Sequence, residues 1–316
     1  MPNSKQTIIN LTDKEPIKLT PMQGWPAGRY QLSPQHVGAI QAAFLCKRPL
    51  LVRGGPGLGK SQLAQAVASL LDWGLISTVV HYNTSVEDLL YSVDHVKRLD
   101  QANNPECPVG GLEKYIQPGK VWQAIAPSTL HARGLKPPHN KLGTVLLIDE
   151  IDKADPSLPN ALLEVLANGA ISVPYLQDAV IADEKHPCFV VITSNEERLL
   201  PQAFIRRCAV LDIQLPKEPD KALQWMMDIF AAHYPNEQKQ AELASLATTV
   251  ATQVLAQRAK VSGQNNGDYL VGTSEFLDML KTLGEFEQDK REDKLKVLSE
   301  HLIEKSQFSK DDKDNA

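Results

Sequence analysis

Gly54-Gly55-Pro56-Gly57-Leu58-Gly59-Lys60-Ser61 follows the apolar run Pro49-Leu50-Leu51-Val52 and leads into Gln62-Leu63-Ala64-Gln65-Ala66-Val67-Ala68-Ser69-Leu70-Leu71. The octapeptide meets G-x-x-x-x-G-K-[ST] at every fixed position, between a buried-strand pattern and an Ala/Leu-rich helix pattern, the context a phosphate-binding loop requires. Glycines let the backbone wrap closely around phosphates with its N–H groups turned inward, where a Cβ would obstruct them. Lys60 adds a mobile cation for the β- and γ-phosphates, and Ser61 a hydroxyl ligand for Mg²⁺. The helix that opens here, its pattern beginning at Gln62, aims its positive dipole end at the anion. Gly54, Gly55, Pro56, Gly57, Leu58, Gly59, Lys60, Ser61 and Gln62 are therefore the candidate nucleotide-binding set. A Gly/Pro turn that precedes a helix is the bland alternative, and the strand and helix on either side weigh against it.

The 316 residues are 42% apolar and 22% charged, an ordinary globular balance in a chain long enough for about two domains. Lys plus Arg number 33 against 38 Asp plus Glu. The resulting net charge of −5 gives no global pull toward nucleic acid or an anionic membrane, although a local basic surface stays open. Cys46, Cys107, Cys188 and Cys208 are scattered without C-x-x-C spacing, so neither a zinc site nor a disulfide framework is indicated. Met1 to Thr12 lacks a basic start followed by an apolar core, and no run approaches the ~18 apolar residues of a membrane span. A cytoplasmic protein with no membrane partner is the expectation.

Along the chain, Pro16, Pro21 and Pro26 break any period before Arg29, so residues 1–29 read as an extended lead-in. Ser33-Pro34 then starts a helix, serine as cap and proline in the first turn, with Val37, Ile40 and Phe44 at helical spacing. Strand patterns follow at 75–81, 145–148, 189–193 and 210–213, with a hairpin suggested by Ile171-Ser172-Val173 and Val180-Ile181-Ala182. Helical patterns occupy Ser85 onward and Pro159 to Ala167, the latter ended by Asn168-Gly169. Residues 92–142 mix charges with Asn103-Asn104-Pro105, Cys107-Pro108, Gly110-Gly111 and Pro137-Pro138; too long for a plain loop, they read as an insertion with small elements of its own. The alternation makes residues 30–216 an α/β domain with a parallel sheet. After Lys217 only helical patterns remain, so 217–305 form a second, all-helical domain, and 306–316 a charged tail.

Val145-Leu146-Leu147-Ile148-Asp149-Glu150 places two acids at the end of a buried strand, where ligand sites of open α/β sheets lie. In that position Asp149 would hold Mg²⁺ and Glu150 would polarise the water that attacks the γ-phosphate. A solvated strand end is the commoner meaning of such a pair by itself, and the upstream phosphate loop reverses the balance. Asn195, after the next apolar strand, offers a neutral amide that could orient the water; a polar turn residue is the plain alternative. Arg206 and Arg207 stand just before the last strand, where a delocalised, always charged guanidinium would suit charge developing on a transferring phosphoryl group.

This ordered set, the phosphate loop, Asp149-Glu150, Asn195 and Arg207 with a helical domain behind it, resembles the AAA+ ATPases. Tyr115-Ile116-Gln117-Pro118-Gly119-Lys120-Val121, Asn160-Ala161-Leu162-Leu163-Glu164-Val165-Leu166 and Leu200-Pro201-Gln202-Ala203 resemble the MoxR group more narrowly, over about Gln31 to Pro216. The resemblance implies a P-loop NTPase core with a smaller helical lid, ATP and Mg²⁺ as ligands, and a homo-oligomeric ring, usually a hexamer. Arg207, helped by Arg206, would then reach into the neighbouring subunit's site, and Asn195 would be sensor 1. It also implies a helix-2 insertion near 92–120, a pre-sensor 1 hairpin near 171–183, and a chaperone-like role toward a protein partner, in some relatives one bearing a von Willebrand A domain. Many relatives carry a lid arginine that touches the γ-phosphate. Gly272-Thr273-Ser274-Glu275-Phe276 offers none here, and Arg258 and Lys260 nearby read as a solvated helix face, leaving that role unassigned.

The leading expectation is an ATP-hydrolysing ring that remodels or activates a partner protein. A nucleic-acid motor, or an ATP-gated scaffold of a defence or regulatory complex, is the alternative; the net acidity and the lack of an aromatic-basic motif argue against direct nucleic-acid binding. A guanine nucleotide enzyme is disfavoured because no N-K-x-D signature occurs; base contacts are expected near Tyr30 to Val37.

Overall fold

In a parallel sheet covered by helices on both faces, each strand must be apolar on both sides, so strands read as unbroken aliphatic runs rather than alternating ones. The computed structural model describes residues 2–22, 24–103, 110–262 and 271–304, and its sheet is built from such runs. In chain order the first half contains α1 (Pro2–Ile9), β1 (Ile17–Leu19), β2 (Gly28–Tyr30), α2 (Pro34–Leu45), β3 (Leu50–Arg53), α3 (Lys60–Leu71), β4 (Gly74–Val79), α4 (Val86–Leu90), β5 (Tyr91–Val93), α5 (His95–Ala102), β6 (Ile116–Pro118), α6 (Lys120–Ile125) and α7 (Ser128–Ala132). The second half contains β7 (Thr144–Asp149), α8 (Leu158–Asn168), β8 (Ala170–Ile171), β9 (Val180–Ile181), β10 (Cys188–Ser194), α9 (Gln202–Ile205) and β11 (Ala209–Asp212), then α10 (Pro219–His233), α11 (Glu237–Ser262), α12 (Thr273–Gly284) and α13 (Arg291–Leu302).

The main sheet has five parallel strands in the order β11-β3-β10-β7-β4. Successive side chains point to opposite faces, and the two cores divide accordingly. Leu50, Val52, Val145, Leu147 and Val191 pack with α2 and α3 on one face, while Leu51, Leu146, Ile148 and Ile192 pack with α6 and α8 on the other. All nine are fully buried. The register sets β3, β7 and β10 side by side, so that Ser194 lies beside Arg53 and Ile192 beside Ile148. The segments leaving these three strands therefore gather at one sheet edge. After β11 the regular elements of the described residues are all helices: α10–α13 enclose a separate core around Met226, Phe230, Val250, Phe276 and Leu280.

Two sequence expectations require correction. Residues 1–29 are not an extended lead-in. Pro2 sits in the first turn of α1, where it costs no hydrogen bond, and Pro16 precedes β1 while Pro21 and Pro26 lie in the connection between β1 and β2, which pair as a hairpin. Ile8 and Leu19 are buried, and Gln65 of α3 donates to Thr20 O at 3.0 Å and to Pro26 O at 2.8 Å, stapling the hairpin to the core. The insertion at 92–142 is likewise narrower than its composition suggested. β5 and β6 pair antiparallel and carry α5 as an outer piece on which no residue is buried. From Ile116 the chain rejoins the core, with Val121, Trp122, Ala124 and Ile125 of α6 all buried. Asn104, Pro105, Cys107 and Pro108, like the charged tail at 306–316, lie outside the described residues. The expected hairpin at 171–182 is present as β8–β9.

Candidate nucleotide site

The loop between β3 and α3 takes its shape from glycines. Gly54 has φ 143°, and a Cβ there would stand 2.2 Å from Ile213 O; Gly57 has φ 71° and faces Gly272, whose Cα would be 3.3 Å from an added Cβ. Neither position admits a side chain without moving backbone. Lys60, buried at the first residue of α3, curls back to donate from Nζ to Gly54 O at 2.8 Å and Gly55 O at 2.7 Å. Burial lowers its pKa, opposed by the negative charges of Asp149, Asp152, Glu150 and Glu196. Its ammonium is thus surrounded by acids yet bonded only to neutral carbonyl oxygens, ready to exchange them for an anion. Arg53, just before the loop, is engaged by Asp212 through a two-point contact of 2.7 and 2.9 Å.

The acids at the end of β7 complete this edge. Ser61 Oγ donates to both Asp149 oxygens, at 2.8 and 2.9 Å, and Thr193 Oγ1 donates to Asp149 Oδ1. Thr193 Oγ1 also accepts from Glu150 N at 3.0 Å. Glu150 has left-handed backbone, φ 60° and ψ 46°, a conformation that costs a non-glycine residue on the order of 1 kcal/mol and gathers at working sites. Its carboxylate is held from both sides, by Asn195 Nδ2 at 3.3 Å on Oε1 and by Lys153 Nζ at 2.8 Å on Oε2. Asn195 is itself placed by the buried Asp152, which accepts from Asn195 N at 3.3 Å and Glu197 N at 2.9 Å.

Residues before α2 and along α10 roof the loop on its other side. A cavity of about 510 Å³ is lined by Tyr30, Leu32, His36, Leu58, Gly59, Gln62, Ile229 and Thr273, among others. The Tyr30–Val37 segment, expected near a base, forms one wall. α12 seals the loop directly: Thr273 Oγ1 donates to Gly57 O, and Ser274 N donates to the same oxygen at 3.3 Å.

The structure therefore brings together residues 54–62, Asp149, Glu150 and Asn195, and leaves Arg206 and Arg207 outside. Both arginines are exposed at the end of α9, and Ala209 N bonds Pro49 O at the start of β3. They stand one four-residue strand away from the loop, roughly 13 Å at about 3.3 Å per residue. Arg207 lies over the outer side of α8, beside Asn160 and Glu164. Arg258 is not on a solvated face as its sequence neighbourhood suggested. It is half-buried, with Nη1 donating to Val271 O at 2.6 Å and Nη2 lying 3.0 Å from where a Gly55 Cβ would be, whereas Lys260 is exposed. Thr193, Asp152 and Lys153 went unread in the sequence. Thr193 passed as a β-former at the end of an aliphatic strand, and a hydroxyl in that position was the available signal.

Residues 49–208, just over half of the chain, match the family described as an AAA domain of the dynein-related subfamily. The chain belongs to this AAA family. Its parallel sheet and flanking helices are a P-loop AAA+ core, and α10–α13 are the helical lid. Chaperone protein ClpB of Enterococcus faecalis is 25% identical over 193 residues; the match takes in 60% of this chain and 18% of that protein's length. The chain thus aligns with under a fifth of the curated relative it matches. A solved structure from Cytophaga hutchinsonii, described as a candidate ATPase, aligns over 77% of this chain and 71% of its own at 14% identity and a TM-score of 0.38. Among the described residues no helix is long and apolar enough to cross a membrane. As an AAA domain, the chain is a nucleotide-binding protein of the AAA+ ATPase class.

Proposed function

We propose that this AAA domain hydrolyses ATP, working as a ring of like subunits to remodel or activate a partner protein in the manner of the MoxR group. The observation that carries the reading is the contact of Ser61 with Asp149 beside a Glu150 carboxylate held by Asn195. The oxygen-only pair Ser61 and Asp149 suits Mg²⁺, which binds through one or two protein oxygens and substrate phosphates. Those two residues would hold the ion, which supplies positive charge to the phosphoryl oxygens when bound. Backbone N–H groups of 57–61 receive the phosphates, and Lys60 exchanges Gly54 O and Gly55 O for phosphate oxygen. Glu150 accepts a proton from water as the water oxygen bonds to the γ-phosphorus and the bond to the β,γ-bridging oxygen breaks, releasing ADP and phosphate. Lys153 and Asn195 keep the Glu150 carboxylate aimed. The cavity beside Tyr30 and His36 takes the base.

Ring assembly draws support from Arg207. A finger at the opposite sheet edge from its own phosphate loop can serve only another copy's loop, which requires head-to-tail contacts that close. The MoxR reading rests on the three quoted segments and on the β5–β6 arm and β8–β9 hairpin, and a partner with a von Willebrand A domain is the class it favours. Lys60→Ala is expected to abolish nucleotide binding in a fluorescent-nucleotide titration, and Glu150→Gln to bind ATP while phosphate release falls at least about 100-fold. Normal turnover in either variant overturns the site. ATP-bound Glu150→Gln protein then serves as bait for the partner.

A further inference from the structure

Three neighbouring strands of the main sheet, β10, β3 and β11, end level with one another on polar side chains, Ser194, Arg53 and Asp212. Side chains at matched positions of parallel strands share a face. Arginine's planar fork suits the middle place: Arg53 takes Asp212 at two points, 2.7 and 2.9 Å, while its Nε lies 3.9 Å from Glu196 Oε1. Glu196 follows Asn195 and has left-handed backbone, φ 62°, a conformation that persists in a non-glycine residue where its surroundings hold it. Ser194 and Asp152 hold the backbone of this turn. Ser194 Oγ accepts from Glu196 N at 3.0 Å, and Asp152 accepts from the amides of Asn195 and Glu197. Arg53 holds its side chain.

We propose that Arg53 is a positioning residue for the reaction: anchored on Asp212, it holds Glu196 and so fixes the turn that keeps the Asn195 amide on the Glu150 carboxylate. The inference rests on the ATP-hydrolysis reading above. Asn195 Nδ2 meets Glu150 Oε1 at 3.3 Å, near the outer limit of a hydrogen bond, so a small rotation of the turn breaks the contact. The anchor is firm because β11 is tied to the same residue by its main chain, Ile213 N donating to Arg53 O at 2.8 Å. An exposed ion pair alone is worth little, whereas a two-point arginine that joins two acids forms a network and gains by its geometry. The charge of Glu196 also reaches Lys60, which defines the rival role for Arg53, that of shielding the phosphate-loop lysine from this acid.

The test measures single-turnover phosphate release and, separately, displacement of a fluorescent ADP by a non-hydrolysable ATP analogue. The proteins are full-length Arg53→Gln, Arg53→Lys, Glu196→Gln and the double variant Arg53→Gln/Glu196→Gln. Each single change to Gln is expected to slow phosphate release about three- to fivefold, the scale of a partly exposed ion pair, with analogue affinity within about twofold of native. The double variant is expected to be no slower than either single one, because both remove the same contact. Arg53→Lys, which keeps the charge and loses the fork, is expected to recover part of the rate. An unchanged rate in Glu196→Gln overturns the proposal whatever Arg53→Gln does, and so do losses that multiply in the double variant. A loss of affinity in Arg53→Gln that the second change restores also overturns it, in favour of shielding Lys60. Native protein that binds the analogue and releases no phosphate from ATP overturns the hydrolysis reading, and this inference with it.

Discussion

His36 sits at the third position of α2, where a glutamate or glutamine usually completes a capping box. Its Nδ1 is 2.6 Å from Ser33 Oγ and its Nε2 3.3 Å from Tyr30 Oη, and the ring is only 8% exposed on the wall of the candidate base cavity. Burial keeps the imidazole neutral, lowering its pKa from 6.5 to about 4. In the unfolded chain the ring takes a proton near 6.5, while in the folded chain it refuses one until about 4. The unfolded state therefore binds more protons across that window, and stability, complete above 6.5, falls as pH drops to about 4. A shift of this size corresponds to a loss on the order of 3 kcal/mol. Urea midpoints measured from pH 7 to pH 4 are expected to decline steeply for the native sequence and more gently for His36→Gln; parallel declines would refute the assignment. Ser33 and Pro34 announced this helix start in the sequence, but His36 did not, because glutamate or glutamine is the usual residue at that position of the box. Thr193, Asp152 and Arg258 are hidden for another reason. Each is chosen by a partner farther off in the chain, whereas Gly54, Lys60 and Ser61 are fixed by their own spacing.

At the scale of elements, composition failed where short pieces are held by the core rather than by their own periodicity. α6 is six residues long, too short for a clear helical period, and it follows a stretch rich in glycine, proline and charge. Yet Trp122 is 1% exposed, donates from Nε1 to Thr129 Oγ1 at 2.7 Å, and lies under the Arg133 guanidinium at 5.4 Å. Truncation there removes a large buried ring and the bond that the Thr129 hydroxyl accepts, leaving that hydroxyl only its donation to Ala126 O at 2.7 Å. Trp122→Ala is expected to cost about 3–5 kcal/mol, whereas Leu99→Ser on the outer α5 should change stability by less than about 0.5 kcal/mol. Chemical denaturation of the two variants checks where the insertion ends. If both cost little, α6 belongs to a dispensable arm; the expected contrast places the boundary at β6. The long aliphatic strands were legible because parallel pairing between helical layers demands them, and the β8–β9 hairpin because Gly169, at φ 58°, closes α8 sharply before it. α1 was not legible, since its buried anchor among the described side chains, Ile8, meets a core assembled from residues far along the chain.

For the molecule as a whole, the decisive fact is which sheet edge carries which charge. The C-terminal edge of β3, β7 and β10 gathers Lys60, Asp149, Glu150 and Asn195, while Arg206 and Arg207 stand at the N-terminal edge, beyond the length of β3. On the proposed reading a single copy would hold half of each of two sites, and a head-to-tail ring would join them. Arg207→Ala protein should bind ATP and fail to turn it over, and Lys60→Ala protein should do neither. Mixed, the two complement only across a boundary: an Arg207→Ala subunit keeps its phosphate loop and receives an intact Arg207 from a Lys60→Ala neighbour. For random mixing at equal amounts, about a quarter of the sites regain both parts. Phosphate release from the mixture should rise to roughly that fraction of native turnover and pass through a maximum near equal proportions. A mixture that stays silent at every ratio, while size measurements show the subunits exchanged, would place Arg207 outside catalysis and remove the main structural reason for a ring.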